Sequence, residues 1–282
     1  MSERLAFAVA LALSACASPK LPPEPPPAFV QPQPGLGPVR AAIDAGNFTR
    51  AKTLLEGQKP TAEVLYYRGL VADRLGSTAE AEARYRDALL ADPSLAEAAV
   101  NLAALLVDAS RFAEAAAVAR AGLAKRPEVA ELALNLAFAL GGLGDQSGAL
   151  TQFRAAARAA TDASTLTVVG HELRLLRQPA ECVTVLDAAI AKADSADARV
   201  DRGLCKLALR QADQSTADFR RAVVLDPRLA LAHYWLGVRL AAEGNRSDAA
   251  AEFDRCLELE PNGPLAAGAR EKRRALDSTP RQ

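Results

Sequence analysis

Two kinds of side chain in this 282-residue sequence could do covalent or metal chemistry: four cysteines, at positions 16, 182, 205 and 256, and two histidines, His171 and His233. A helical zinc site needs a second histidine one turn after the first, and "HELRL" at 171–175 has none. The glycines of "GGLGDQSGA" lack both the Lys-Ser/Thr pair and the preceding strand of a phosphate loop. Carboxylates are abundant, but nothing in their spacing picks out an acid/base pair. The expectation is therefore a protein that is not an enzyme, with no catalytic residue, no metal, no cofactor and no small-molecule substrate. Cys16 stands apart from the other thiols, because it follows a nearly continuous apolar run over residues 5–15. That run is shorter than the roughly 20 residues that cross a bilayer as a helix. It has the length of a signal-peptide apolar core, although the charged region before it is weak, with Arg4 offset by Glu3.

The four residues "LSAC" (Leu13, Ser14, Ala15, Cys16) resemble the lipobox of bacterial lipoproteins. The resemblance implies a signal peptide over 1–15 and acylation of Cys16, with palmitate among the chains, as the mature first residue. Several acyl chains, each adding about 0.8 kcal/mol per buried CH₂, hold far more firmly than one. Ala17 follows the cysteine where an aspartate would mark inner-membrane retention, so the outer membrane is expected, on its periplasmic face. Residues 16–38 then form the lipid attachment site and a linker. Nine prolines between Pro19 and Pro38 remove backbone donors and fix φ, which predicts an extended, semi-rigid spacer of roughly 3 Å per residue. Recognition of this stretch as a PxxP-type ligand is the other use open to it.

The elements that must position everything else come after Val39. Half of all residues are apolar but only 5% are aromatic, and 34 basic residues balance 34 acidic ones. Strong helix formers dominate, which predicts an all-α body. The balanced charge argues against a nucleic-acid partner. Prolines punctuate the body at a fixed period: Pro93 and Pro127 lie 34 apart, as do Pro227 and Pro261. In the same register the eighth position of six units reads Gly69, Ala103, Ala137, Gly170, Gly203 and Gly237. The twentieth reads Ala81, Ala115, Ala149, Cys182, Ser215 and Ala249, and the twenty-fourth Tyr85, Ala119, Phe153, Leu186, Phe219 and Phe253. Two units close on Thr161 and Asp194 instead of proline.

This pattern of small residues, then an aromatic, then proline resembles the tetratricopeptide repeat (TPR), a 34-residue helix-turn-helix unit. The resemblance implies a right-handed α-solenoid of about six helix pairs over 62–261. A helical half-repeat is expected at 39–61, a capping helix at 262–276 and a disordered tail at 277–282. Gly46, Gly76, Gly144 and Gly244 fall where first helices end. On the cap, Leu265 and Leu276 would cover the last unit while Arg270, Lys272, Arg273 and Arg274 face water, with a basic binding patch as the sharper alternative.

Family knowledge places ligand contacts on the first helix of each unit. Applied here it marks a mostly apolar groove of Tyr66, Leu70, Val100, Leu134, Phe138, His171, Val200, Leu204, Tyr234 and Val238, with Leu175 and Leu207 beside them. Asn101 and Asn135 share the sixth position, where some relatives hold a peptide backbone; pairing with the neighbouring unit is the alternative. Phe138 is expected at the centre of the row, in a pocket deepened by Gly141 and Gly142, unless it packs into a neighbouring helix. In the same frame Cys182 and Cys205 lie on adjacent antiparallel helices within disulfide range, so they are either bridged or two small core fillers. Cys256 is expected to be a buried free thiol.

A groove of this kind on a lipoprotein implies a protein partner of the cell envelope, with the bilayer held through the acyl anchor. The chain resembles the pilotins of type IV pili, which help secretins assemble, and the Tad-pilus lipoproteins. Its implied function is a scaffold for pilus or secretin assembly. An accessory role in barrel assembly or with peptidoglycan enzymes is one alternative, and a cytoplasmic adaptor without lipidation is another. Metabolic labelling with a fatty acid is expected to tag the wild type, and Cys16→Ala to abolish both the label and membrane fractionation.

Overall fold

The computed structural model describes residues 35–278. The signal-like run, Cys16 and the prolines up to Pro34 lie outside the described residues, as do positions 279–282. Among the described residues there are fifteen helices and no strand. They form two compact units, one ending at Ala160 and one beginning at Thr161.

The N-terminal unit holds α1 (Gly37–Asp44), α2 (Phe48–Leu55), α3 (Ala62–Arg74), α4 (Thr78–Ala91), α5 (Ala96–Asp108), α6 (Phe112–Lys125), α7 (Ala130–Gly142) and α8 (Gln146–Ala159). The C-terminal unit holds α9 (Ala163–Leu175), α10 (Pro179–Lys192), α11 (Ala196–Ala208), α12 (Ala212–Leu225), α13 (Ala230–Ala242), α14 (Arg246–Leu259) and α15 (Ala266–Ser278). Within each unit a helix packs on its sequence neighbours, and first helices also touch the first helix of the next pair. The N-terminal half-unit takes the form of two eight-residue helices. Arg40 of α1 ties it to α3 by an ion pair with Glu63 at 2.6 Å and by lying over the Tyr67 ring, 5.6 Å from its centroid.

Local chemistry sets the helix ends. Thr61, Asp162 and Ser195 open α3, α9 and α11 by accepting the backbone N–H groups of Val64, Thr165 and Ala198. The turn inside each pair passes through a left-handed residue. Gly76, Gly144 and Gly244 supply it at φ 80°, 83° and 83°, without a Cβ to clash. Ser110, Arg177 and Arg210 take the same conformation at φ 58°, 56° and 62°, at a cost of about 1–2 kcal/mol each. The turn persists there because its backbone bonds still form: Arg111 donates to the Leu106 carbonyl at 2.8 Å and Gln178 to Leu173 at 2.8 Å.

Inside each pair, the residue at the twenty-fourth position stands over the small residue at the eighth. A Cβ placed on Gly69 would meet the Tyr85 ring at 2.7 Å, and one on Gly203 would meet Phe219 at 2.6 Å. Gly237 faces Phe253 in the same way, at 2.9 Å. Cys182 and Cys205, both buried, are joined as a disulfide that links α10 to α11, with their Cα atoms 6.4 Å apart. Cys256 is a buried free thiol on α14, its pKa pushed up to about 11 by burial. At the C-terminal end, Leu265, in the turn just before α15, and Ala269 within that helix enter the core with Phe253 and Tyr234. Arg273, on the outer side, is neutralised by Asp254 at 3.1 Å and Asp277 at 2.7 Å.

One pair departs from the apolar pattern. Where the corresponding positions of the other first helices are mostly apolar, α11 carries Arg199, Arg202 and Lys206, and all three reach Asp218 of α12. Arg199 donates at 3.0 Å, Arg202 at 2.9 Å and again to the second oxygen, and Lys206 at 2.8 Å. Asp194, in place of the closing proline, binds Arg199 at 2.7 Å and Arg221 at 2.9 Å. The next pair repeats the geometry with His233 and Glu252, 2.6 Å apart, while the other ring nitrogen of His233 meets the Pro227 carbonyl at 3.0 Å. Burial by itself would raise the pKa of Asp218, but the hydrogen bonds from Arg202, Lys206 and Arg199 outweigh it and hold the carboxyl below its ordinary 3.8.

Removing one member of such a buried cluster leaves charges uncompensated, whereas replacing the set with apolar side chains does not. Asp218→Ala is therefore expected to cost about 3–5 kcal/mol in chemical denaturation, and joint replacement of Arg199, Arg202, Lys206 and Asp218 by leucine to be near neutral. Because the folded pKa is depressed, the wild-type contribution is present above pH 3.8 and is lost as pH falls through the folded value.

Candidate partner-binding face

All twelve residues marked from the sequence for the groove lie on first helices, but the structure divides them. Val100, Asn101, Phe138, His171, Leu204 and Val238 are half-buried. Tyr66, Leu70, Leu134, Asn135, Val200 and Tyr234 are buried, with exposures of 7% or less, and offer no free surface. The division follows the repeat. Fifth-position side chains mostly sink into the core, as Tyr234 does between Phe253 and the capping helix at Gly268. Ninth-position side chains after Leu70 stay half-open, from Ala104 and Phe138 in one unit to His171, Leu204 and Val238 in the other. Leu175 is 41% exposed and Leu207 half-buried.

Two expectations need correcting. Phe138 is not the centre of a pocket deepened by glycines, because its ring meets the buried Phe153 edge-on at 5.4 Å. Gly142 faces away from it, against the Phe112 ring, and Gly141 faces Ala149. The asparagines are also occupied. Asn135 donates to the Val100 carbonyl at 3.0 Å and Asn101 to the Tyr85 hydroxyl at 3.3 Å, so each amide is used to hold the preceding pair.

The C-terminal unit adds a polar cluster that the apolar reading missed. Asp201 of α11, buried, accepts from Arg174 Nε at 2.6 Å and lies 2.9 Å from His171 Nδ1, bridging α9 and α11. Burial pulls the His171 pKa down, and the Asp201 carboxylate more than offsets it, so the imidazole titrates above its ordinary 6.5. The signal was present in the repeat frame: basic residues at the ninth and twelfth positions of one unit face an acid at the sixth position of the next.

The tetratricopeptide-repeat family matches the chain over residues 39–98 and 200–267, one stretch in each unit. The fold is a tetratricopeptide-repeat fold. Solved structures agree. YrrB, a TPR protein with an unusual peptide-binding site, is 23% identical over 66% of this chain and 97% of its own, with a TM-score of 0.55. A tetratricopeptide repeat protein from Parabacteroides merdae is 15% identical over 86% of this chain and 97% of its own, with a TM-score of 0.54. MamA is 20% identical over 57% and 95%, at a TM-score of 0.51. No curated protein matches the chain by sequence. Among the described residues no helix is long and apolar enough to cross a membrane.

The contact with Phe153 gives Phe138 a share of the core. Phe138→Ala is expected to lower stability by about 2 kcal/mol, less than a fully buried phenylalanine would, read as a reduced midpoint in chemical denaturation.

Proposed function

We propose that this protein is a lipid-anchored TPR scaffold of the bacterial envelope that holds a protein segment along its first helices. The observation that carries the reading is the half-open ninth-position side chains found in each unit by itself, Ala104 and Phe138 in the N-terminal unit and Leu204 and Val238 in the C-terminal unit. Apart from His171 these ninth-position side chains are apolar while fifth-position neighbours are mostly buried, and an apolar edge of this kind within a unit suits a peptide or helix laid on it. The likeness to a TPR protein with a peptide-binding site supports a segment of protein as the ligand.

Placement in the envelope rests on two features. The "LSAC" sequence at Cys16 fits lipidation, and the Cys182–Cys205 disulfide fits an oxidising compartment such as the periplasm. The outer membrane, and service to a pilus or secretin, are the finer parts of the proposal and rest on the resemblance of the sequence to pilotins and Tad-pilus lipoproteins.

A photo-crosslinking amino acid placed at Leu204 or Val238 in living cells is expected to give discrete adducts with an envelope protein. The same group at Leu90, 82% exposed on the second helix α4, is expected to give none. Equal labelling from all three positions, or adducts only from Leu90, would remove the first-helix face as the binding surface.

A further inference from the structure

His233 stands where the preceding pair has a permanent cation. Arg199 and His233 both hold the fourth position of their first helices, and Asp218 and Glu252 both hold the twenty-third position, on the second helices that follow. Each cation reaches that carboxylate. The third partner matches as well, because Arg199 also binds Asp194 at the residue closing the unit before it, and His233 meets the Pro227 carbonyl at the same closing position. Each cation therefore ties its second helix to the turn that enters the pair. In the four earlier units the fourth position is apolar, from Leu65 to Leu166, so among these six pairs the clamp belongs to the last two.

The two clamps differ in what pH can do to them. A guanidinium keeps its charge throughout the range in which proteins fold, whereas an imidazole does not. His233 is 5% exposed, with Nδ1 2.6 Å from the Glu252 carboxylate and Nε2 3.0 Å from the Pro227 carbonyl. An ionised carboxylate and a backbone carbonyl only accept, and a neutral imidazole has a single N–H, so both contacts are made together by the imidazolium alone. Loss of the proton leaves one acceptor facing a ring lone pair.

Little nearby can take over. Glu252 has His233 as its one hydrogen-bond partner among the described residues, and the positions of Arg202 and Lys206 are filled here by Leu236 and Leu240. The other charge of α14 that acts on the ring, Arg255, is paired with Glu258 at 3.0 Å. In the turn before α13, Asp226 accepts the Arg228 backbone N–H at 2.9 Å. Among the described residues α11, α12 and α15 give the ring no hydrogen bond or ion pair. The Glu252 hydrogen bond raises the His233 pKa, burial opposes it and the Pro227 carbonyl adds to the rise, which leaves the ring above its ordinary 6.5.

We propose that His233 is a pH-operated clamp on the last helix pair, tying α14 to the turn before α13 as an imidazolium and releasing one of the two when it loses its proton. The stability it contributes is present below pH 6.5 and is lost as pH rises through the folded value, because the folded pKa is the higher one. Phe253, next to Glu252, packs with Leu265 and Ala269, so the capping helix loosens with α14. The inference stands independently of what binds the first helices.

The test uses the full chain carrying His171→Gln, a half-buried position, which leaves His233 as the single imidazole. Proton NMR of its Cε1–H is expected to give a titration midpoint above 6.5, moved downward by Glu252→Gln. Through that same midpoint the urea midpoint of unfolding is expected to fall with rising pH. Emission of Trp235, the one tryptophan of the chain and stacked on Phe219 at 6.4 Å, is expected to move to longer wavelength. Adding His233→Arg, which copies the Arg199 clamp, should make both readings flat from about pH 6 to 9. His233→Gln should be equally flat at the weaker, high-pH value, so the result does not depend on how arginine fits. A titration midpoint at or below 6.5 overturns the clamp. So does a higher midpoint through which neither stability nor Trp235 emission changes, or a pH dependence that persists in both His233 variants.

Discussion

Everything in this chain depends on how closely two helices of a pair can cross. At Gly69, Gly203 and Gly237 the backbone of the first helix lies directly beneath a ring of the second, so that even a methyl group would collide. That contact fixes the crossing, and the crossing fixes which positions of the first helix are left for the next pair and which remain open. A buried aromatic contributes several kcal/mol of burial when nothing separates it from its neighbour, which is why the glycine and the ring occur together. The α5–α6 pair solves the same problem in reverse. Ala119 is small where the others are large, and Gly122 instead receives Leu132 from the following helix.

The helices themselves were legible in the sequence because the small residues, aromatics and prolines recur at one period. The glycines at 46, 76, 144 and 244 fell where first helices end. The turns at Ser110, Arg177 and Arg210 were not legible as left-handed, since no local signal marks a serine or arginine that the surrounding backbone bonds force into that region. The face was legible only as a set of positions. Sequence register assigns Tyr66 and Val100 to the same position, yet one is buried and the other half-open, because exposure depends on what the adjacent pair lays over each. Phe138 shows the same limit: periodicity placed it on the first helix but could not say that Phe153 would meet it.

The Asp218 cluster illustrates a different kind of information. Arg199, Arg202 and Lys206 read locally as an ordinary charged helix face, and only the structure shows that they point at a second helix and share one buried carboxylate. Apolar side chains could fill the same space in many arrangements, whereas a carboxylate ringed by three donors accepts few. The cluster therefore favours one seating of α12 on α11 over slipped alternatives. The Asp201 bridge to His171 and Arg174 does the same between successive pairs.

The disulfide changes how the chain responds to being pulled. Repeat arrays held mainly by neighbour contacts can peel open one helix at a time from either end. Cys182 and Cys205 are 23 positions apart, so the segment between them is shorted out of the load path. Force entering at one terminus passes through the sulfur bridge and leaves at the other without straightening α10. The extended length withheld is about 80 Å, at the reach of a fully stretched chain, and it becomes available only after reduction. For a body pulled at both ends, that bond would act as a strain limiter.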